Sequence, residues 1–106
     1  MSKQTPPLFP AERRLAQGLG ERLRQARKRR RMTMAELSER VGITANTLAK
    51  LEGGDFTVSF ATVLRVLHIL GLSDAVSALA AADPQGRDMQ DSTQVAPPRG
   101  RTRPKA

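Results

Sequence analysis

The chain has 106 residues and carries a formal net charge of +8. It contains no cysteine, which excludes disulfides and thiolate-bound metals. No apolar stretch approaches the ~20 residues that a membrane-spanning helix needs, so we expect a soluble protein of the cytoplasm. A small chain this basic predicts a polyanionic partner, and with only three aromatic residues to stack on unpaired bases, duplex DNA is favoured over RNA.

Residues 1–9 are expected to form a flexible arm. Pro10 suits the first position of a helix, which is predicted to end near Arg30. Apolar residues recur in this segment at i, i+4, i+8 and i+11, the spacing of one helical face. They are Leu15, Leu19, Leu23 and Ala26. Half of all lysines and arginines lie between positions 13 and 31, which makes this helix the main source of positive charge.

Two short helices are predicted next, joined by a glycine turn. Thr33 and Glu36 have the spacing of a capping box, in which each side chain accepts a hydrogen bond from a free backbone N–H, so a second helix should run over 33–41. Gly42 suits the left-handed conformation at a helix end. Thr44 can cap a third helix over 45–52.

The remaining helices are predicted from apolar content and caps. Ser59 can cap a nearly continuous apolar helix over 60–70, and a short fifth helix should cover 75–82. From 83 to 106 the composition turns to proline, glycine, glutamine and arginine, which predicts a disordered basic tail. The expected fold is therefore all-α, with one domain over 10–82.

A helix, a tight turn and a second helix form the unit that places its second helix in the major groove of DNA. The residues from Thr33 to Thr44, followed by Thr47-Leu48 and by Leu51-Glu52-Gly53-Gly54, resemble the Xre family of Cro- and lambda-repressor-like DNA-binding domains. The resemblance covers about residues 17–72. It implies a lambda-repressor-like bundle of about five short helices, with 44–52 as the recognition helix.

The resemblance also implies which residues face DNA, and the chemistry agrees: Asn pairs with adenine, Lys donates to guanine, and Thr or Ala contacts the thymine methyl. Together with the neighbouring basic run, the candidate DNA contacts are Lys28, Arg29, Arg30, Thr33, Arg40, Thr44, Ala45, Asn46, Thr47 and Lys50. The family often has Gln where this chain has Met34, so affinity is expected to depend more on charge. The basic run from Lys28 to Arg31 also fits a solvated helix end.

Arg27 and Glu52 match a family pair that forms a salt bridge between the first and third helices. We predict that bridge here; the alternative is two solvated charges. Removing one partner of a partly buried bridge should lower the free energy of unfolding by more than the ~0–1 kcal/mol that an exposed ion pair contributes.

The expected function is sequence-specific regulation of transcription, by a repressor that binds an approximately palindromic operator as a homodimer. The predicted dimer interface comprises Val66, Ile69, Leu72, Val76 and Leu79. An alternative rests on the tract Asp55 to Leu72, which looks similar to HipB-type antitoxins, proteins that repress their own operon and neutralise a HipA-type kinase toxin. A nonspecific architectural or RNA-binding protein is a third possibility.

No enzyme is expected, because one histidine, His68, and scattered carboxylates supply neither a metal site nor a nucleophile with its base. No cofactor is predicted. The segment from Pro98 to Lys105 resembles an AT-hook, whose arginines enter the minor groove, but Thr102 replaces the expected proline; a plain basic tail is the alternative. We expect association with the nucleoid.

Overall fold

The computed structural model describes residues 7–92, which are entirely helical outside turns and contain no strand. The helices are α1 (Pro10–Arg29), α2 (Met34–Val41), α3 (Ala45–Glu52), α4 (Phe60–Ile69), a 3₁₀ helix (Ser73–Ala78) and α5 (Pro84–Ser92). The chain divides into two compact units, the first ending at Val76 and the second beginning at Ser77. The predicted all-α helix-turn-helix class is confirmed. Within residues 7–92, no helix is long and apolar enough to cross a membrane.

Side-chain caps begin the three short helices of the first unit where the sequence predicts them. At α2, the Glu36 N–H donates to Thr33 Oγ1 (3.0 Å) while the Thr33 N–H donates to Glu36 Oε1 (2.8 Å), which completes the capping box. Thr44 Oγ1 accepts from the Thr47 N–H at α3, and Ser59 Oγ accepts from the Thr62 N–H at α4. The caps of α2 and α3 satisfy amides in the first turn that lack a carbonyl partner, whereas the Thr62 N–H at α4 also donates to the Ser59 carbonyl (3.1 Å).

The core of the first unit is formed by nine buried apolar side chains drawn from all four of its α-helices. They are Leu23, Ala26, Leu37, Val41, Leu48, Leu51, Val63, Val66 and Leu70. Helices of eight residues are too short to be stable alone, so burial of these side chains holds α2 and α3 in place.

Two glycines allow α1 to lie directly against the end of α3. A Cβ atom on Gly20 would lie 2.6 Å from the carbonyl oxygens of Leu51 and Glu52, closer than any side chain tolerates. A Cβ atom on Gly54, which adopts the left-handed conformation at φ +92°, would lie 2.8 Å from Cα of Gln17. This close approach brings the middle of α1 beside the last turn of α3.

The chain after α4 differs from the prediction in two places. A 3₁₀ helix, Ser73–Ala78, stands where an α-helix over 75–82 was predicted. The disorder predicted over 83–106 is contradicted over Pro84–Ser92, where α5 forms, and residues 93–106 lie outside the described residues. Asp83 Oδ1 accepts the Gly86 N–H (3.0 Å) and a proline occupies the first position, a cap-and-proline start that composition hides. The AT-hook-like segment lies outside the described residues, as do residues 1–6.

Candidate nucleic-acid interface

The turn between α2 and α3 is short and closed by backbone hydrogen bonds. Gly42 adopts the left-handed conformation (φ +88°), and the N–H groups of Gly42 and Ile43 both donate to the Ser38 carbonyl, at 2.8 and 3.0 Å. Ile43 is half-buried and packs on the core. The turn therefore holds α2 and α3 as one helix-turn-helix unit.

α3 presents one apolar and one polar face. Leu48 and Leu51 are fully buried, whereas Ala45, Asn46 and Lys50 are exposed. Apolar contacts therefore anchor one side of the helix and leave the other side open to a macromolecular ligand. Lys50 lies four residues after Asn46, so both lie on the same outward face.

The threonine hydroxyls at the start of α3 are less available for new hydrogen bonds than the side-chain amide of Asn46 and the ammonium group of Lys50. Thr44 Oγ1 accepts from the Thr47 N–H and donates to Thr47 Oγ1 (3.0 Å), so these two hydroxyls are already paired with each other. The side chains of Asn46 and Lys50 have no hydrogen-bonding partner within residues 7–92. They are therefore exposed polar groups of α3 that no described residue engages in a hydrogen bond.

A buried ion pair ties α1 to α3. Arg27 Nε donates to Glu52 Oε2 (2.8 Å) and Arg27 Nη2 donates to Glu52 Oε1 (3.0 Å), in the paired geometry typical of arginine and carboxylate. The side chains are 8% and 3% exposed, so the alternative of two solvated charges is excluded. The hydrogen bond with Glu52 holds the pKa of Arg27 above its ordinary value; burial opposes this and the nearby negative charge adds to it.

The same guanidinium also holds the turn before α2. Arg27 Nη1 donates to the carbonyl of Met32 (2.9 Å), at the residue just before the α2 cap. One side chain thus connects α1, the α1–α2 turn and the end of α3. These contacts, together with the core, hold α3 in its orientation relative to α2.

The structure separates the members of the basic run that follows Arg27. Arg30 Nη1 donates to the Ala26 carbonyl (2.8 Å) and so caps its own helix, although its side chain remains exposed. Arg29 lines a groove between α1 and α4. Lys28 and Arg31 are exposed and unpaired within the described chain, and Arg31 adopts the left-handed conformation (φ +56°), which is unfavourable for any side chain with a Cβ atom. The sequence placed Arg31 at the end of the basic run but did not indicate its left-handed backbone, which no local pattern marks.

The start of α2 offers fewer free amides than the sequence suggested. The amide and hydroxyl of Thr33 are both occupied in the capping box, which leaves the N–H groups of Met34 and Ala35 without a helical acceptor. Met34 is half-buried and packs against the core, so it acts as a packing residue. Arg40, in the last turn of α2, is exposed.

The predicted dimer residues occupy different environments. Val66 is 0% exposed in the core of its own chain, so its assignment to an interface was wrong: the apolar pattern of α4 reflects intrachain packing. Ile69, Leu72 and Val76 are half-buried and Leu79 is exposed. Large apolar side chains stand out from α4 at Phe60 (56% exposed) and Leu64 (36%), four residues apart on one face.

The comparison with protein families agrees with this geometry. The sequence model of the helix-turn-helix domain matches residues 20–83, more than half of the chain, and the chain therefore belongs to this family. The match starts inside α1, so the first half of that helix precedes the family domain. No curated protein matches the chain significantly. Within residues 7–92, no cluster of three or more histidine or acidic side chains is placed to hold a metal ion.

Proposed function

We propose that the protein is a sequence-specific regulator of transcription that inserts α3 into the major groove of duplex DNA. The observation that carries the proposal is the outward face of α3, where the exposed Asn46 and Lys50, which make no hydrogen bond within residues 7–92, project from a helix whose other face is fully buried. The major groove, ~12 Å wide, admits one helix. Membership of the helix-turn-helix family supports the same role.

Each exposed group of α3 has a defined task in this proposal. Asn46 pairs with adenine through its amide, Lys50 donates to the acceptors of guanine, and Ala45 packs against a thymine methyl. These contacts specify sequence, since each base pair displays a distinct pattern in the major groove.

Phosphate contacts then position the domain without reading sequence. We assign them to the exposed cations Lys28, Arg31 and Arg40 and to the free amides at the start of α2, where the helix dipole favours an anion. The net charge of +8 makes the contribution of phosphate contacts to the affinity large and dependent on salt.

The proposed regulator acts as a repressor and as a homodimer. Two copies related by a two-fold axis would place their α3 helices ~34 Å apart, one turn of DNA, and so read an approximate palindrome. Occupying the promoter is sufficient for repression. The exposed apolar pair on α4, Phe60 and Leu64, is the candidate dimer contact in this proposal, in addition to the predicted Ile69, Val76 and Leu79.

The test is selection of binding sites from a random duplex library with the full chain, followed by titration of the selected site and a scrambled site across a salt series. The proposal expects a palindromic motif and a preference of ~10³ or more for the selected site. Enrichment of no motif, with equal affinity for both duplexes, would refute sequence specificity and leave only phosphate attraction.

A matched pair of variants assigns the base contact. Asn46→Ala should cost ~1–3 kcal/mol on the selected site and relax specificity at one position. Gln25→Ala removes an exposed amide from the face of α1 turned away from α3 and should leave binding unchanged. A uniform loss on all DNA for Asn46→Ala would make this residue a backbone contact instead.

The second candidate function is a HipB-type antitoxin that represses its operon and neutralises a HipA-type kinase. The last part of the tract that carries this similarity is accounted for by packing, since Leu70 is buried and Leu67 and Ile69 pack on the core. The tract therefore does not favour an antitoxin over a repressor acting alone. Stable co-purification with a kinase encoded in the same operon would favour the antitoxin.

A further inference from the structure

A groove of about 460 Å³ runs between α1 and the segment formed by the end of α4 and the following turn. Its floor and walls are apolar: Leu19, Leu23 and Ala26 on one side, and Leu67, Leu72 and Ala75 on the other. All of these residues belong to the first compact unit. Leu15, one heptad before Arg22 on the same face of α1, extends the apolar stripe and is 73% exposed.

The groove lies on the side of α1 opposite to the DNA-reading unit. Gly20 and Arg27, seven residues apart, face α3 through close backbone approach and through the ion pair with Glu52. Arg22 and Arg29, which line the groove, each follow one of these residues by two positions, which is a rotation of about 200° around the helix. A ligand in the groove would therefore not compete with DNA at α3.

The charges of the groove are unbalanced. The guanidinium groups of Arg22 and Arg29 have no carboxylate partner within residues 7–92. The negative charge of the lining comes from Glu21, whose carboxylate already accepts from Gln25 Nε2 (2.7 Å) and lies 3.9 Å from Arg24 Nη1. Two free cations thus flank an apolar floor.

We infer that this groove, defined by the residues named above, is a docking site for an acidic amphipathic helix of another protein. Leucine-type side chains of the partner would cover Leu19, Leu67 and Leu72, and its carboxylates would pair with Arg22 and Arg29. A second copy of this chain is disfavoured as the occupant, because it would bring the same two cations to the same place.

The length of the groove sets the length of the partner helix. The groove follows α1 from Leu19 to Arg29, a rise of about 15 Å, and the exposed Leu15 beyond it extends the apolar stripe to about 21 Å, which corresponds to about four turns of a docked helix. We therefore expect the partner segment to be a helix of about 14–16 residues. It has apolar side chains at i, i+3 or i+4 and i+7, and glutamate or aspartate beside them.

The probe is a labelled helical peptide of about 16 residues, with leucines on one face and glutamates flanking them. A second peptide carries lysine in place of every glutamate. Binding to the full chain is measured by fluorescence anisotropy, and the bound surface is mapped from amide chemical shifts. The acidic peptide should bind and shift residues of the groove, and duplex DNA should bind to the same complex.

Matched charge reversals separate the groove from the general attraction of a basic protein. Arg22→Glu reverses a charge inside the groove and Arg24→Glu reverses one on the opposite side of α1; both side chains are exposed, so both variants should fold. We expect the loss of affinity for the acidic peptide to be at least about tenfold larger in Arg22→Glu than in Arg24→Glu. Ala75→Glu, which places a carboxylate in the groove, should weaken it as well.

Three results would overturn the inference: no binding of the acidic peptide at about millimolar concentration, equal losses in Arg22→Glu and Arg24→Glu, or shifts that map outside the groove. Equal affinity for the acidic and basic peptides would also overturn it, since charge would then play no part. These outcomes are read from peptide binding alone and do not depend on DNA binding; the complex with both peptide and duplex DNA is the one expected result that also requires the proposed function.

Discussion

Removing the carboxylate of Glu52 should destabilise the domain far more than removing any exposed charge. In Glu52→Ala, the Arg27 guanidinium loses two hydrogen bonds, at 2.8 and 3.0 Å, and stays in a site where its side chain is only 8% exposed. Breaking a buried ion pair from one side costs about 3–5 kcal/mol, because a charge remains buried without compensation. A small domain has a total free energy of unfolding of about 5–15 kcal/mol, so this is a large share of it.

The loss is measured by thermal and urea unfolding followed by circular dichroism. A change of 1 kcal/mol moves the melting temperature of a domain this size by roughly 4–8 °C, so Glu52→Ala should lower it by roughly 12–40 °C. The matched control is Glu21→Ala, which removes a carboxylate from an exposed pair with Arg24 separated by 3.9 Å and should cost ~0–1 kcal/mol.

A double-mutant cycle tests the physical reason. Replacing both partners with apolar residues, Arg27→Met with Glu52→Leu, should cost much less than Glu52→Leu alone, since no charge remains buried. Part of the loss should persist, because the Met32 carbonyl also loses its donor. A melting temperature for Glu52→Ala that equals the wild-type or Glu21→Ala value would refute the reasoning, and the pair would have to be treated as two solvated charges.

Further predictions concern the turn before α2, the face of α4 and the loop after α3. Arg31→Gly should raise the free energy of unfolding by about 0.5–1 kcal/mol, because glycine adopts the left-handed backbone at φ +56° without strain. The same variant should reduce the slope of log affinity for DNA against log salt concentration by about one. A slope that does not change would remove Arg31 from the phosphate contacts. Changing Phe60 and Leu64 together to serine should produce a folded monomer with weaker operator binding, as measured by sedimentation; a variant that remains dimeric would place the interface elsewhere. Hydrogen bonds from the hydroxyl and N–H of Thr57 lower the pKa of Asp55, so this carboxylate should stabilise the folded state above its unfolded pKa of about 4, and that contribution should be lost as the pH falls through the lower folded pKa. Urea midpoints at neutral and acidic pH, compared with those of Asp55→Asn, check this; a difference independent of pH would contradict it.

Local chemistry was sufficient to predict the first four helices and their starts. The caps Thr33, Thr44 and Ser59, and the turn at Gly42, act within four residues along the chain, so their signals can be read without any knowledge of packing. The outward face of α3 followed from the same periodicity. Local chemistry failed at Pro84–Ser92, where a capped start was present but the composition resembled a linker.

The sequence by itself determined an all-helical, basic helix-turn-helix chain in which α3 has one apolar and one polar face, because caps, apolar period and charge are properties of neighbouring residues. Only the tertiary structure decided which side chains are buried and which partners they contact. Val66 became core while Phe60 and Leu64 became surface, since α4 can turn only one face toward the other helices. Likewise, Arg30 caps its own helix and Arg31 does not, because a side chain's partner depends on distances that the order of residues does not record.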